Sequence, residues 1–136
     1  MGDEDRFTHK HFMNTIEQIE AFKERTKKLA LRVIKLFQSL PKTDEAIIIG
    51  KQLLRSATSV AANYRASCRA RSDAEFFSKI SIVVEEADEV LFWLEILQDA
   101  DIVPSQKIKL LLDEYLEVVK ITNAVRYKKK ATRQKG

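Results

Sequence analysis

The chain has 136 residues, 45% of them apolar and 32% charged, with only three glycines, two prolines and one cysteine. That length and balance suit a single domain with an ordinary core, exclude intrinsic disorder, and leave too few turn formers for a many-stranded sheet. The formal charge of +4 is unevenly spread: residues 126–136 carry six basic side chains and no acid, which leaves 18 basic against 20 acidic in the rest.

No apolar run approaches the ~20 residues that span a bilayer, and the opening MGDEDRFTHKHF lacks the hydrophobic stretch of a secretion signal. A cytoplasmic protein without membrane attachment is expected. Residues 1–13 read as a flexible N-terminus. They hold His9 and His11, the two histidines of the chain, and no further His or Cys stands near to complete a metal site.

Asn14 is placed to cap a first helix from Thr15 to about Leu40, with Ile16, Ile19, Phe22, Leu29, Val33, Leu36 and Leu40 on its inner face. Pro41 ends it, and the short connection to Thr43 turns the chain back antiparallel. A second helix, capped by Thr43 or Asp44, runs to about Arg69. Its seam of Ile47, Gly50, Leu54, Ala57, Ala61, Tyr64 and Cys68 is rich in small residues that admit a close neighbour. Ala46, Ile49, Leu53 and Val60 widen the apolar arc. Cys68, with no partner for a disulfide, is expected to be a small buried hydrophobe.

The third helix has the clearest pattern. Ser72 and Glu75 form a capping-box sequence, and Phe76, Ile80, Val83, Ala87, Val90, Leu94 and Leu97 step by fours and threes along one seam to Asp99. Phe77, Val84 and Leu91 broaden that face. Ile82, Trp93 and Ile96 fall about half a turn away at 100° per residue, where a monomeric bundle should be wet, and so point to an oligomer interface. Residues 100–104 make a turn, and Ser105 is expected to cap a fourth helix with Ile108, Leu111, Leu112, Tyr115, Val118, Val119, Thr122 and Val125 inward, fraying into the basic tail of residues 126–136. The fold expected for residues 14–125 is all-α: an antiparallel up-down-up-down four-helix bundle.

The acidic cluster Glu85, Glu86, Asp88 and Glu89 does not fit the di-iron sites of such bundles, which need a Glu followed three positions on by His. Glu85 and Glu89 are instead expected to face Lys or Arg of a neighbouring helix or subunit. Neither histidine lies in the bundle to serve Ser56, Ser59 or Cys68 as a base, and no Gly-rich phosphate loop is present. The sequence reads as non-enzymatic, with no catalytic, metal or cofactor residues. Ser56, Ser59, Asn63 and Ser67 form a polar stripe on the second helix, with Arg55, Arg65 and Arg69 on an adjoining face. The serines either bond their own helix carbonyls while the arginines stay solvated, or the arginines form a face for phosphates or for Glu85 and Glu86 across an interface.

Residues 53–97, LLRSATSVAANYRASCRARSDAEFFSKISIVVEEADEVLFWLEIL, resemble the core of a bacterial four-helix-bundle family named after open reading frames in intervening sequences of 23S rRNA genes. The matching positions are Arg55, Ser56, Ser59, Val60 and Asn63, then Glu75 and Phe76, then Glu85, Glu86, Glu89 and Trp93. Many members carry Glu-Gly shortly after the Asn, where this chain has Ala66 and Ser67, so any role tied to that Glu does not transfer. The resemblance implies a homopentameric ring. The family is similar to the accessory variability proteins of diversity-generating retroelements, which bind nucleic acid and associate with a reverse transcriptase. By that likeness Arg55, Arg65, Arg69, Arg71, Arg126, Lys128, Lys129, Lys130, Arg133 and Lys135 are candidate contacts to RNA or DNA phosphates. The rival expectation is a scaffold ring that recruits a protein partner, its tail merely solubilising.

Overall fold

A computed structural model describes residues 15–135, with side chains described through residue 129. Asn14, His9 and His11 lie outside the described residues. Among those described, the chain forms four helices: α1 (Ile16–Ser39), α2 (Asp44–Cys68), α3 (Asp73–Asp99) and α4 (Ser105–Lys135). No strand forms among them, and consecutive helices pack side by side as an all-α bundle. None of the helices is long and apolar enough to cross a membrane.

The helix starts explain themselves locally. At α1, Thr15 is the cap, and a full capping box forms in which Thr15 takes the Gln18 amide and Gln18 takes the Thr15 amide. Thr43 caps α2 by accepting from Ala46. Ser72 caps α3 by accepting from Glu75, but the box is only half made, because the Glu75 carboxylate turns to the Arg71 amide at 3.3 Å instead. Ser105 is the first residue of α4 rather than its cap.

The third helix buries its seam as its periodicity requires: Ile80, Val83, Ala87, Val90, Leu94 and Leu97 are inaccessible and Phe76 is half-buried. In α2 the core takes Ala46, Gly50, Leu53, Ala57, Val60 and Tyr64, while Ile47, Leu54 and Ala61 sit half-buried beside it. Gly50 allows a close approach there, because a Cβ would come within 2.7 Å of the side chains of Phe37 in α1 and Leu40 just after it, and these would have to shift. In α4 the buried set is Ile108, Leu111, Tyr115, Val118, Ile121 and Thr122.

Four expectations need correction. Ile16 is 80% exposed, since the apolar period continues into a helix start that no described residue covers. Cys68 is exposed, because it ends α2 where the bundle opens. The helix does not fray at Val125, for α4 runs on to Lys135. Trp93 is half-buried and packs against the core cluster rather than standing on a wet back face, and Ile82 and Ile96 are half-buried.

That flank of α3 faces α2. Arg55 from α2 bonds Glu86 at 2.9 Å and Glu89 at 2.7 Å, and the Trp93 indole N–H donates to Glu89 at 3.1 Å. Two members of the acidic cluster, Glu86 and Glu89, are thus answered within the chain, while Glu85 and Asp88 are exposed. At the thinner seam between α1 and α4, Arg25 reaches across to Glu114 at 3.1 Å and Glu117 at 3.2 Å. Burial alone would lower the Arg25 pKa, but the two carboxylates reverse that and raise it.

Candidate functional site at the open end

The two ends of the bundle differ because their turns differ. At the end formed by the α1–α2 and α3–α4 turns, Leu40 and Val103 fold inward and are each 5% exposed. At the other end the α2–α3 turn, Arg69 to Ser72, carries no large apolar side chain to plug the space. A cavity of about 400 Å³ remains there. Its walls come from all four helices: Ile19 of α1, Tyr64 and Cys68 of α2, Phe76 of α3, and Val125 and Lys129 of α4, with Arg71 at the turn.

Antiparallel packing brings the end of α4 back past the start of α3, and this organises the basic residues. The Lys129 ammonium lies 2.6 Å from Asp73 and 5.3 Å from the centre of the Phe76 ring. Arg126 donates to the Ser81 hydroxyl at 2.9 Å and stands 5.1 Å above the Phe77 ring. Each aromatic face attracts the cation while leaving donors free on its outer side. Arg71 is exposed and lines the same cavity as the half-buried Lys129.

The candidate residues do not form one site. Arg71 and Lys129 share the cavity, and Arg126 packs close by on α3. Arg65 and Arg69 are exposed near the end of α2, four residues apart and so on one helical face. Lys128 is exposed on α4. Arg55 stands apart, its guanidinium engaged by Glu86 and Glu89. The Lys130, Arg133 and Lys135 side chains lie outside the described residues.

The polar stripe of α2 turns on itself. Ser56 donates to the Gln52 carbonyl, Ser67 to the Tyr64 carbonyl, and Asn63 to the Ser59 carbonyl and hydroxyl. The Cys68 thiol pKa is raised, chiefly by desolvation, with Tyr64 and Lys23 pulling the other way, so the thiol stays protonated at neutral pH. Among the described residues no group of three or more His, Cys, Asp or Glu could hold a metal ion.

Phe76 and Phe77, read from sequence as core residues, are here also platforms for Lys129 and Arg126. The antiparallel register of α3 against α4 was the signal that could have found them.

Residues 17–124 match the family description "23S rRNA-intervening sequence protein". The chain belongs to that family. A solved structure, that of a protein of unknown function from the S23 ribosomal protein family of Bacteroides thetaiotaomicron VPI-5482, is 28% identical to it. The two superpose with a TM-score of 0.74 over 80% of this chain and 97% of that one. No curated protein matches the chain.

Proposed function

We propose that this 23S rRNA-intervening sequence protein acts by binding rather than by catalysis, as a cytoplasmic homo-oligomer that holds RNA or DNA backbone at its open end. A pentamer, and an accessory role beside an RNA-linked or reverse-transcriptase-linked system, are what the family resemblance adds. The observation that carries the reading is the convergence at one end of Arg71 and Lys129 on a shared cavity, with Arg126 beside them and the basic length of α4 running past. Arg55 is excluded from this interface because two carboxylates already satisfy it.

Backbone binding of this kind releases counterions, so the affinity should fall with salt at a log-log slope of about −0.9 per phosphate contact on duplex DNA or about −0.7 on a single strand. Titration of mixed-length RNA and DNA against the full chain at several salt concentrations reads that slope. Replacing Arg65, Arg69 and Arg71 with Gln should reduce its magnitude by about two to three units. A flat slope in the unaltered protein ends the proposal.

A second reading, a scaffold ring without nucleic acid, draws on the exposed apolar side chains: Ile48 is 63% exposed, Phe92 50% and Leu110 69%. Both readings use an oligomer, and Phe92 is an exposed aromatic residue of α3, whereas its edge-to-face partner Trp93 is half-buried. Phe92→Glu should therefore dissociate the assembly with helix content intact, as light scattering and circular dichroism would show. Trp93→Glu should instead destabilise the protomer, because it sets a second carboxylate beside Glu89. The opposite pattern would mean that α3 does not face a neighbouring subunit through Phe92.

A further inference from the structure

We propose that the cavity at the open end receives one phosphorylated nucleotide unit, its base against Ile19, Phe76 and Val125 and its phosphate between Arg71 and Lys129. The inference rests on the nucleic-acid reading above and gives it a specific pocket. The cavity, at about 400 Å³, falls in the range of small-ligand sites and has their composition, mostly apolar walls with a few polar groups at defined places.

The distribution of chemistry inside it selects the ligand. The walls are mainly hydrocarbon and aromatic, with Ser67 and Cys68 among them, and the charged lining residues are the exposed or half-buried ones, where Arg71 and Lys129 outnumber Asp73. The start of α3 opens onto the same place through Ser72 and Asp73, adding the positive end of a helix dipole. An inorganic anion would satisfy the mouth and leave the walls wet. A neutral apolar molecule would do the reverse. A planar base carrying a phosphate answers both.

The Lys129–Asp73 contact does not close the site. The Asp73 side chain is 62% exposed, and a pair this open is worth little. The ammonium has three donors, of which Asp73 takes one. The polar wall groups are largely committed, with Ser67 bonded to the Tyr64 carbonyl and Ser72 to the Glu75 amide. Base identity should therefore matter little.

The source of such a unit is either a free mononucleotide or the phosphorylated end of a strand. Calorimetric titration of the full chain with adenosine monophosphate, uridine monophosphate, adenosine and inorganic phosphate, and with a hexanucleotide bearing either a 5′-phosphate or a 5′-hydroxyl, separates them. Both monophosphates should bind about tenfold tighter than adenosine, as one charge-assisted contact warrants, and within a few-fold of each other. Ala70→Trp, which fills the cavity from the turn, and Arg71→Gln, which removes the cation, should each erase that preference. Arg71→Gln keeps the test valid should the larger substitution unfold the protein. A matching gain for the 5′-phosphorylated hexanucleotide identifies the strand end as ligand, and a gain confined to the monophosphates identifies the free nucleotide. Adenosine monophosphate that binds no better than adenosine, or no better than phosphate, overturns the pocket. Salt-dependent binding of long hydroxyl-ended RNA is scored separately: its survival beside a failed pocket overturns only this inference, and its loss beside monophosphate binding overturns only the nucleic-acid reading.

Discussion

The closed end and the open end of the bundle are built from the same four helices, yet one is filled by its own turns and the other is not. At the closed end Leu40 presses on Gly50 and is 5% exposed. The α3–α4 turn there follows a Schellman pattern, with Asp101 donating to the Gln98 carbonyl and Ile102 to the Leu97 carbonyl. At the open end the Arg69–Ser72 turn contributes charge and one hydroxyl, and the space behind it is left unfilled by the described residues. The comparison separates residues kept for stability from residues available for binding: turns that bury side chains hold the helices together, and a turn that does not leaves a place for something else.

Leu40→Ala should show the largest effect of this asymmetry. Deleting a buried Leu typically costs 2–5 kcal/mol, and this one, in a turn that can partly collapse, should cost about 3 kcal/mol. Ile19→Ala, a half-buried residue in the wall of an existing cavity, should cost about 1 kcal/mol or less, since little new void is made. Urea unfolding of the two variants checks the ratio, and equal losses would mean that the open end is packed as tightly as the closed one.

A smaller change should go the other way. Asp101 has φ of 57°, a left-handed conformation that disfavours any side chain, and its negative charge sits at a helix C-terminus where the dipole is also negative. Asp101→Gly should stabilise the protein by about 0.5–1 kcal/mol and raise Tm by a few degrees. A loss of stability would show that the Asp side chain makes a compensating contact in solution.

Much of this fold was readable because helical periodicity is a local signal. The seam from Ile80 to Leu97 is buried along its whole length, for each residue repeats every three or four positions on a face that must be covered. The signal is weaker where it depends on neighbours. Ile16 fits the period but no described neighbour covers it, whereas Ile121 lies in the core together with Thr122. Trp93 was read as pointing outward because its angle to the seam was known and the position of α2 was not. The basic residues were visible as a charge run, but which of them meet depended on register: Lys129 reaches Asp73 and Phe76, 56 and 53 positions earlier in the chain. The cavity had no local signal at all, being a space left between four helix ends.

The finest distinction between structural and binding arginines lies at Arg55, and pH can expose it. Arg55 holds the Glu89 carboxyl below its ordinary value of 4.5, helped by the Trp93 indole and opposed by desolvation. A carboxylate depressed in the folded state adds stability that is fully present above its unfolded value and is lost as pH falls through the folded one. The protein should therefore lose stability from about pH 4.5 downward through this pair, by an amount in the ~0.2–1 kcal/mol range of exposed ion pairs, because the Arg55 side chain is 51% exposed. Arg55→Gln should flatten that part of the pH profile, and Glu89→Gln should do the same. Trp93 is the one tryptophan of the chain and bonds Glu89 directly, so its fluorescence should report the titration at the site as well. Nucleic-acid affinity at neutral pH should be nearly unchanged in Arg55→Gln, in contrast to Arg71→Gln. A large loss in the Arg55 variant would mean that its carboxylate partners release it to phosphate, and that the line drawn between the α2–α3 seam and the open end is in the wrong place.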